Sequence, residues 1–440
     1  MNMKFVIDKQ SQEELNLPGK FRQGSVYNLF NTVKTRGGEQ LLDELFKNPL
    51  TDESSINDRT AIFRFFQEAR LSFPFDVQQY TLMREFCDAG NGSGLPATYF
   101  NTILKKSLSV ITRDERYKAI IQGLQATIVT LKKCYGFVIT LHSMGGPFAA
   151  RVNTIRKILD SPELQELLNI DIYRSISLGS IARYDHLLRN RQNQNINEII
   201  RFIAEADVYM AVGNVAASAG FTYAKALPRS ANCFRAIDLR HPCINNAVGN
   251  DIDMKDGSNM IFLTGANMAG KSTWMKSIGI GMYLAHIGFP VAAKQMEFSI
   301  REGIYSSINV ADNIGLGYSH FYAEVVRVKN AADATATGKH LLLMFDELFK
   351  GTNVKDAYDG TLAVTEAFAE YKNCLFIVST HIIEVGEVLK KLNNVQLTYM
   401  PTIMKGATPQ YTYKLERGIT EDRQGMLIIR NEGILELIKH

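Results

Sequence analysis

The residues Thr264-Gly265-Ala266-Asn267-Met268-Ala269-Gly270-Lys271-Ser272-Thr273 fit the pattern G-x-x-x-x-G-K-[ST], whose chemistry is the holding of phosphate. Gly265 and Gly270 permit backbone conformations closed to residues with a Cβ, so successive N–H groups can point inward at an anion. Lys271 is of a length to reach the β- and γ-phosphates of a nucleoside triphosphate, and the Ser272 hydroxyl suits Mg²⁺. Four fixed positions arise by chance in a chain of this length on the order of one time in sixty. The flanks decide against a mere glycine turn. Met260-Ile261-Phe262-Leu263 reads as a short buried strand, and Trp274 to Ile287 reads as a helix whose positive dipole end meets the same spot.

Carboxylates complete the chemistry. Leu341-Leu342-Leu343-Met344-Phe345 is a buried strand that ends in Asp346-Glu347. Asp346 would hold the Mg²⁺, and Glu347 would polarise the water that attacks the γ-phosphate. An acidic pair at a strand tip is common on surfaces; a phosphate loop upstream gives this one meaning. A third apolar run, Leu375-Phe376-Ile377-Val378-Ser379, leads to Thr380-His381, where a histidine can sense the γ-phosphate. Between these runs lies the glycine-containing stretch 312–321. Its Ser319 suits the N-cap of a helix over 320–336 with the stripe Phe321, Val325, Val328 and Ala332. An exposed Ser at a helix start offers donors to a phosphate, including one held by another subunit, though a plain capped loop fits the pattern equally.

These residues need a scaffold, and 440 residues allow two or three domains with real cores. Residues 1–24 are polar, broken at Pro18 and Gly19, and read as a loosely attached lead-in. From Ser25 the pattern turns helical, with stripes at 26–33, 41–46 and 57–70. It stays mostly helical to about 230, broken at Pro74, Gly90-Asn91-Gly92, Gly145-Gly146-Pro147 and Pro162. The longest helices are expected at 115–134, 151–169 and 196–219, and the stripes read as core faces. Phe66-Gln67-Glu68 sits inside one such stripe and is read as core. Arg183 to Gln194, with Tyr184, either touches nucleic acid or is a solvated helix end. After about 230, short apolar runs alternate with helical segments, as in an α/β sheet.

Composition is that of an ordinary soluble protein: 46% hydrophobic and 21% charged. A net charge of +4 is too mild to mark a nucleic-acid binder by itself. Five scattered cysteines lack metal-ligand spacing, which predicts reduced thiols and a cytoplasmic setting. No signal-peptide pattern and no membrane span is read; the nearest apolar stretch, Tyr135 to Leu141, is too short.

T-G-A-N-M-A-G-K-S-T, D-N-I-G-L-G-Y-S-H-F, D-E-L-F-K-G-T-N and S-T-H, in this order, closely resemble the ATPase domain of the MutS mismatch-repair family. The L-S-G-G-Q signature of generic ABC ATPases is absent. Arg240-His241-Pro242 and Asn250-Asp251 match the approach to that domain, and residues 26–66 resemble the start of the family's helical core, or lever. The resemblance implies a helical lever-like domain at 25–230. An α/β P-loop (ABC-type) ATPase domain with a mostly parallel sheet would follow at 231–440. Residue by residue, it implies ATP held by Gly265, Ala266, Asn267, Met268, Ala269, Gly270, Lys271, Ser272 and Thr273, with Val248 at the base. Mg²⁺ would lie on Ser272 and Asp346, Glu347 would act on water with Lys271 and His381, and Ser319 would act across a homodimer formed through the ATPase domains. DNA would be the partner, engaged by backbone or shape.

Departures bound that expectation. Ala247 stands where repair members often carry an aromatic, and His320 where a Thr is usual. No stretch matching the mismatch-reading domain precedes the lever, and 70–230 is short for two levers and a clamp. The sequence therefore predicts a shortened MutS-like ATPase that couples ATP to conformational change on DNA, in repair or recombination. The alternative is a nucleotide-gated dimerisation or scaffold protein acting on protein partners.

Overall fold

The computed structural model describes residues 4–19, 24–89, 94–112, 115–171, 176–308, 320–405, 408–420 and 437–438. In chain order, the first half runs β1 (Val6–Ile7), α1 (Lys9–Glu14), α2 (Val26–Phe30), α3 (Arg36–Lys47), α4 (Glu53–Ala69) and α5 (Val77–Asp88). Then come α6 (Leu95–Thr112), α7 (Arg116–Met144), α8 (Ala149–Leu159), α9 (Pro162–Leu168), α10 (Leu178–His186) and α11 (Asn193–Ala219). The second half opens with β2 (Thr222–Tyr223), β3 (Lys225–Leu227), β4 (Phe234–Leu239), β5 (Asn250–Met254), β6 (Met260–Gly265) and α12 (Lys271–His286). It continues through β7 (Pro290–Val291), β8 (Gln295–Ser299), β9 (Gly303–Ser307), α13 (His320–Ala336), β10 (Leu341–Asp346) and α14 (Val354–Ala369). It ends with β11 (Leu375–Ser379), α15 (Ile383–Leu389), β12 (Val395–Met400), β13 (Thr402–Lys405), β14 (Thr408–Tyr411) and β15 (Glu416–Arg417).

The chain divides into two compact units. Residues 31–44 and 61–214 form one; residues 1–30, 45–60 and 215–440 form the other. The first is all helical. Its core joins Phe66 and Met83 to Leu124, Ile128 and Leu131 of α7 and to Phe202 of α11. Phe66 is buried and stacks on Tyr209, so the Phe66 of the Phe66-Gln67-Glu68 triplet is a core residue, while Glu68 is exposed. The helix expected over 151–169 is two helices: Pro162 has no N–H to continue the ladder and opens α9 as its first residue. α6 departs further from expectation. It buries Thr98 and Thr102, whose hydroxyls turn back onto the Gly94 and Thr98 carbonyls, and exposes Leu95, Tyr99, Phe100, Ile103 and Leu104. Its apolar stripe is not a core face.

In the second unit the main sheet runs β1-β9-β10-β11-β6-β12-β15, parallel throughout except for the β12–β15 pair. Parallel strands buried on both faces need uninterrupted apolar runs, which is what Met260–Leu263, Leu341–Phe345 and Leu375–Val378 supply. β6, β10 and β11 are consecutive members of one parallel set, so their C-terminal ends emerge together. Ligands of open α/β sheets bind beyond such ends. A second, four-stranded sheet of order β3-β8-β4-β5 packs alongside in the same unit.

The N-terminal segment corrects the expectation of a loose lead-in. Val6 and Ile7 pair with Gly303 and Ile304 as the edge strand of the main sheet, and Leu15 and Leu17 are fully buried. Two strand residues are too few to leave a periodic signal. Among the described residues, no helix is long and apolar enough to cross a membrane.

Candidate functional site

The glycine-rich loop joins β6 to α12. Gly265 has φ +148° and Gly270 has φ +102°, and a Cβ on Gly270 would lie 2.9 Å from Tyr413 Cδ1. Both positions therefore need glycine. Met268, at φ +71° and 80% exposed, forms the loop's tip. Lys271 opens α12 with its side chain buried; Nζ donates to the Gly265 carbonyl at 2.9 Å and the Ala266 carbonyl at 3.1 Å. Burial lowers the Lys271 pKa, against the pull of Asp346 and Glu347. An ammonium held on two neutral carbonyls is poised for an anion.

Sheet register brings the carboxylates to this loop. β10 runs parallel to β11, with Asp346 opposite Ser379, and the Glu347 N–H donates to the Ser379 carbonyl at 2.8 Å. Glu347 sits in the left-handed region at φ +53°, an uncommon conformation that turns it out of the strand. The Ser272 hydroxyl donates to Asp346 Oδ2, whereas Asp346 Oδ1 is buried and makes no hydrogen bond of ordinary length, although the Ser379 hydroxyl opposite it on β11 also steadies the charge. Burial raises the Asp346 pKa, partly offset by the Ser272 hydrogen bond. Glu347 moves the other way: the neighbouring His381 imidazole holds its pKa down, with Lys271 and Lys350 adding to the effect. His381 Nδ1 lies 3.8 Å from Glu347 Oε1. The pair thus splits into a carboxylate kept ionised and one whose charge is costly until a cation meets it.

A cavity of about 740 Å³ opens over these groups. Of the expected site residues it is lined by Val248, Asn267, Met268, Gly270, Lys271, Ser272, Thr273, Asp346 and Glu347. Gly265, Ala266 and Ala269 shape the loop from behind, and His381 reaches the site through Glu347. Ser319 lies outside the described residues. The Asp346 oxygen that lacks an ordinary hydrogen bond, beside a serine hydroxyl, is a hard, all-oxygen donor pair. Mg²⁺ typically takes one or two such protein ligands and completes its shell with water and phosphate, so the residues present fit it.

Other walls were not foreseen. His241 lines the cavity with Nδ1 accepting from the Cys243 N–H at 3.3 Å, and burial lowers its pKa to about 4, leaving it neutral. Tyr413, at φ +56°, closes the side near Gly270. Asn250 fixes that loop by donating to the Tyr413 carbonyl at 2.9 Å and accepting from the Leu415 N–H at 2.8 Å. Arg240-His241-Pro242 and Asn250 are visible in the sequence as motif without a role; Tyr413 carries no sequence signal. Trp274, the chain's one tryptophan, also lines the cavity and is 3% exposed, with its Nε1–H unpartnered.

A larger groove of about 950 Å³ runs between β5 and β12. Several of its charges are paired with one another: Arg235 with Asp253 and Glu297, both at 2.8 Å, and Lys294 with Asp238 at 3.5 Å. It has no convergent reactive groups. The basic stretch at 183–194 is likewise spent internally, with Arg183 on Glu166, Arg189 on Asp185, and Arg191 3.2 Å from Glu163.

The family model of MutS domain V matches residues 261–438. The DNA mismatch repair protein spellchecker 1 of Drosophila melanogaster is 29% identical over 236 residues, 52% of this chain and 26% of that protein. DNA mismatch repair protein MSH3 of Candida glabrata is 29% identical over 285 residues, 62% of this chain and 27% of that protein. DNA mismatch repair protein MutS of Petrotoga mobilis is 27% identical over 359 residues, 76% of this chain and 42% of that protein. The matched stretch thus spans between about a quarter and two fifths of the length of these relatives.

Proposed function

We propose, from the premise that the chain belongs to the MutS family, that its 740 Å³ cavity binds ATP with Mg²⁺ and hydrolyses it. The observation that carries this is the convergence of Lys271, the Ser272–Asp346 contact and the Glu347–His381 pair at the ends of adjacent parallel strands. In this reading the loop is a P-loop of the ABC type, and Lys271 exchanges its two carbonyl contacts for phosphate oxygens. Ser272 and Asp346 hold the Mg²⁺, which when bound offsets charge on the phosphates. Glu347, kept ionised by His381, accepts the proton of a water aimed at the γ-phosphate. His241 and Tyr413 join Val248 as walls for the base.

Hydrolysis would drive a conformational change in a homodimer formed through the ATPase units, with Ser319 acting on the partner's nucleotide. DNA is the proposed partner, engaged through backbone or shape in repair or recombination, because the relatives are named as DNA mismatch repair proteins. Two observations favour a second reading, a nucleotide-gated scaffold for proteins. The arginines at 183–191 are paired with acids, and α6 exposes Leu95, Tyr99, Phe100, Ile103 and Leu104, an apolar patch of a kind that marks protein contacts.

Steady-state ATP hydrolysis with homoduplex, mismatched and branched DNA, across a salt titration, tests both. Stimulation by DNA that fades steeply with salt supports the first reading. Hydrolysis indifferent to every DNA leaves the scaffold reading. A Lys271→Ala variant that hydrolyses ATP at the parent rate refutes the site itself.

A further inference from the structure

β1 covers the edge of β9 for only two residues, at Gly303 and Ile304. Beyond that, β9 would present bare backbone. Side chains of α1 take over the role of the missing strand: the Ser306 N–H donates to Ser11 Oγ at 2.9 Å, and the Ile308 N–H donates to Glu14 Oε2 at 3.0 Å. The same Glu14 oxygen accepts the Ser306 hydroxyl at 2.5 Å. At the same edge Arg327 of α13 donates through Nε to the Ser306 carbonyl at 3.0 Å and through Nη2 to Ser11 Oγ at 2.7 Å. Its guanidinium is completed by Asp8 and lies over the Tyr305 ring. Glu14 and Arg327 are 8% and 6% exposed, so this is a buried network with each edge amide matched. Leu15, one residue on, packs on Gly279 of α12, the helix that begins at Lys271.

This arrangement ends at the candidate site. β9 pairs with β10 up to Ser307 opposite Phe345, so the next step along the register sets Ile308 beside Asp346. Ile308 lines the cavity together with Asp346 and Glu347. We propose that the N-terminal segment Phe5–Leu17 is a positioning element of the nucleotide site, in which Glu14 and Arg327 hold the end of β9 in the register that places Asp346 for its cation. The inference rests on the nucleotide reading above. Glu14 touches no substrate; it acts through Ile308 and the strand beside it. Breaking its contacts frees the last residues of β9 to shift, and a shift of about an ångström at a site of this kind costs on the order of a hundredfold in rate.

The test is steady-state ATP hydrolysis by the full chain as a function of Mg²⁺ concentration, for the parent, Glu14→Ala and Glu14→Gln, with a thermal melt of each. Glu14→Ala is expected to lower kcat by about tenfold or more and to raise the half-saturating Mg²⁺ concentration, at a temperature where the melt shows it folded. Glu14→Gln keeps an amide oxygen for the Ile308 N–H and is expected to recover most of both. If Glu14→Ala melts below the assay temperature, Glu14→Asp, whose reach is one methylene shorter, is read in its place. A variant with a lowered melting temperature but kcat and Mg²⁺ dependence equal to the parent's would show a merely structural role and overturn the proposal. A parent that hydrolyses no ATP would instead remove the nucleotide reading and the inference with it.

Discussion

Replacing Glu347 with Gln changes one carboxylate oxygen to an amide and almost nothing else. The backbone at φ +53° and the N–H bond to the Ser379 carbonyl are untouched, and the volume is conserved. What is lost is a base. General-base assistance is worth roughly 10² to 10⁴ in rate. At about 1.36 kcal/mol per tenfold, the barrier should rise by roughly 3–5 kcal/mol. ATP binding should persist, because Lys271, the loop amides and Asp346 remain. Steady-state hydrolysis reads the first quantity, and emission from Trp274, the lone tryptophan in the cavity wall, reads the second. His381→Ala refines the reasoning through pH. The nearby His381 ring is the largest cause holding the Glu347 pKa down, so its removal lets that pKa rise. A base with a raised pKa is protonated first on the acid side, so the acid limb of kcat moves to higher pH while the alkaline plateau changes less. Stability follows the same sign. A depressed carboxylate stabilises the fold above its unfolded value of about 4.5 and loses that contribution as pH falls through the folded value. Glu347→Gln turnover within about threefold of the parent, against the expected hundredfold or more, would refute the assignment.

Asp346 should behave oppositely. Its pKa is raised by burial, so its charged form is a cost to the ligand-free fold at neutral pH. Asp346→Asn retains an acceptor for the Ser272 hydroxyl, and a differential scanning measurement should show a higher melting temperature while Mg²⁺-dependent hydrolysis is lost; a lower melting temperature would contradict the burial argument. Gly279→Ala tests the packing of α12. On an exposed helix that change stabilises by about 1 kcal/mol, but here the new Cβ would lie 2.6 Å from Met344 Cε and 2.7 Å from Leu15 Cδ2. Both atoms are free ends of flexible side chains and can turn aside, so the gain and the crowding should nearly cancel; a urea unfolding free energy shifted by more than about 1 kcal/mol either way would contradict this.

What the sequence made legible follows from what kind of interaction each feature depends on. The loop, Asp346-Glu347 and the three apolar runs are legible because each is encoded locally. Phosphate chemistry fixes residue types at fixed spacing, and a strand buried on both faces must be apolar without interruption. β1 is the opposite case: Val6 and Ile7 are strand only because β9 offers an edge, and Ser11 and Glu14 gain their roles from partners nearly three hundred residues away. Tyr413 is in the cavity wall because Asn250 ties its loop there, a tertiary hydrogen bond with no periodic trace. α6 shows the limit of reading stripes as core. Its apolar periodicity predicts a helix correctly but does not say which face the rest of the unit covers, and here the threonines go inside.

Several strains meet at the one cavity, and together they argue that ligand and fold are thermodynamically linked. Lys271 is buried against neutral carbonyls, one Asp346 oxygen makes no ordinary hydrogen bond, and Glu347 and Met268 occupy left-handed backbone at positions without glycine. Each is a cost in the folded chain alone, of order 1–3 kcal/mol for a backbone outlier. Phosphate oxygens would answer Lys271, and a cation would answer Asp346. A ligand that relieves such costs binds the folded state only, and at a hundred times its dissociation constant stabilises it by about 2.7 kcal/mol. ATP with Mg²⁺ should therefore raise the melting temperature of the parent more than ATP with EDTA. In Asp346→Asn that difference should vanish, because the group whose charge the cation offsets is gone. A parent stabilised equally by ATP with and without Mg²⁺ would mean that Asp346 is not where the cation binds.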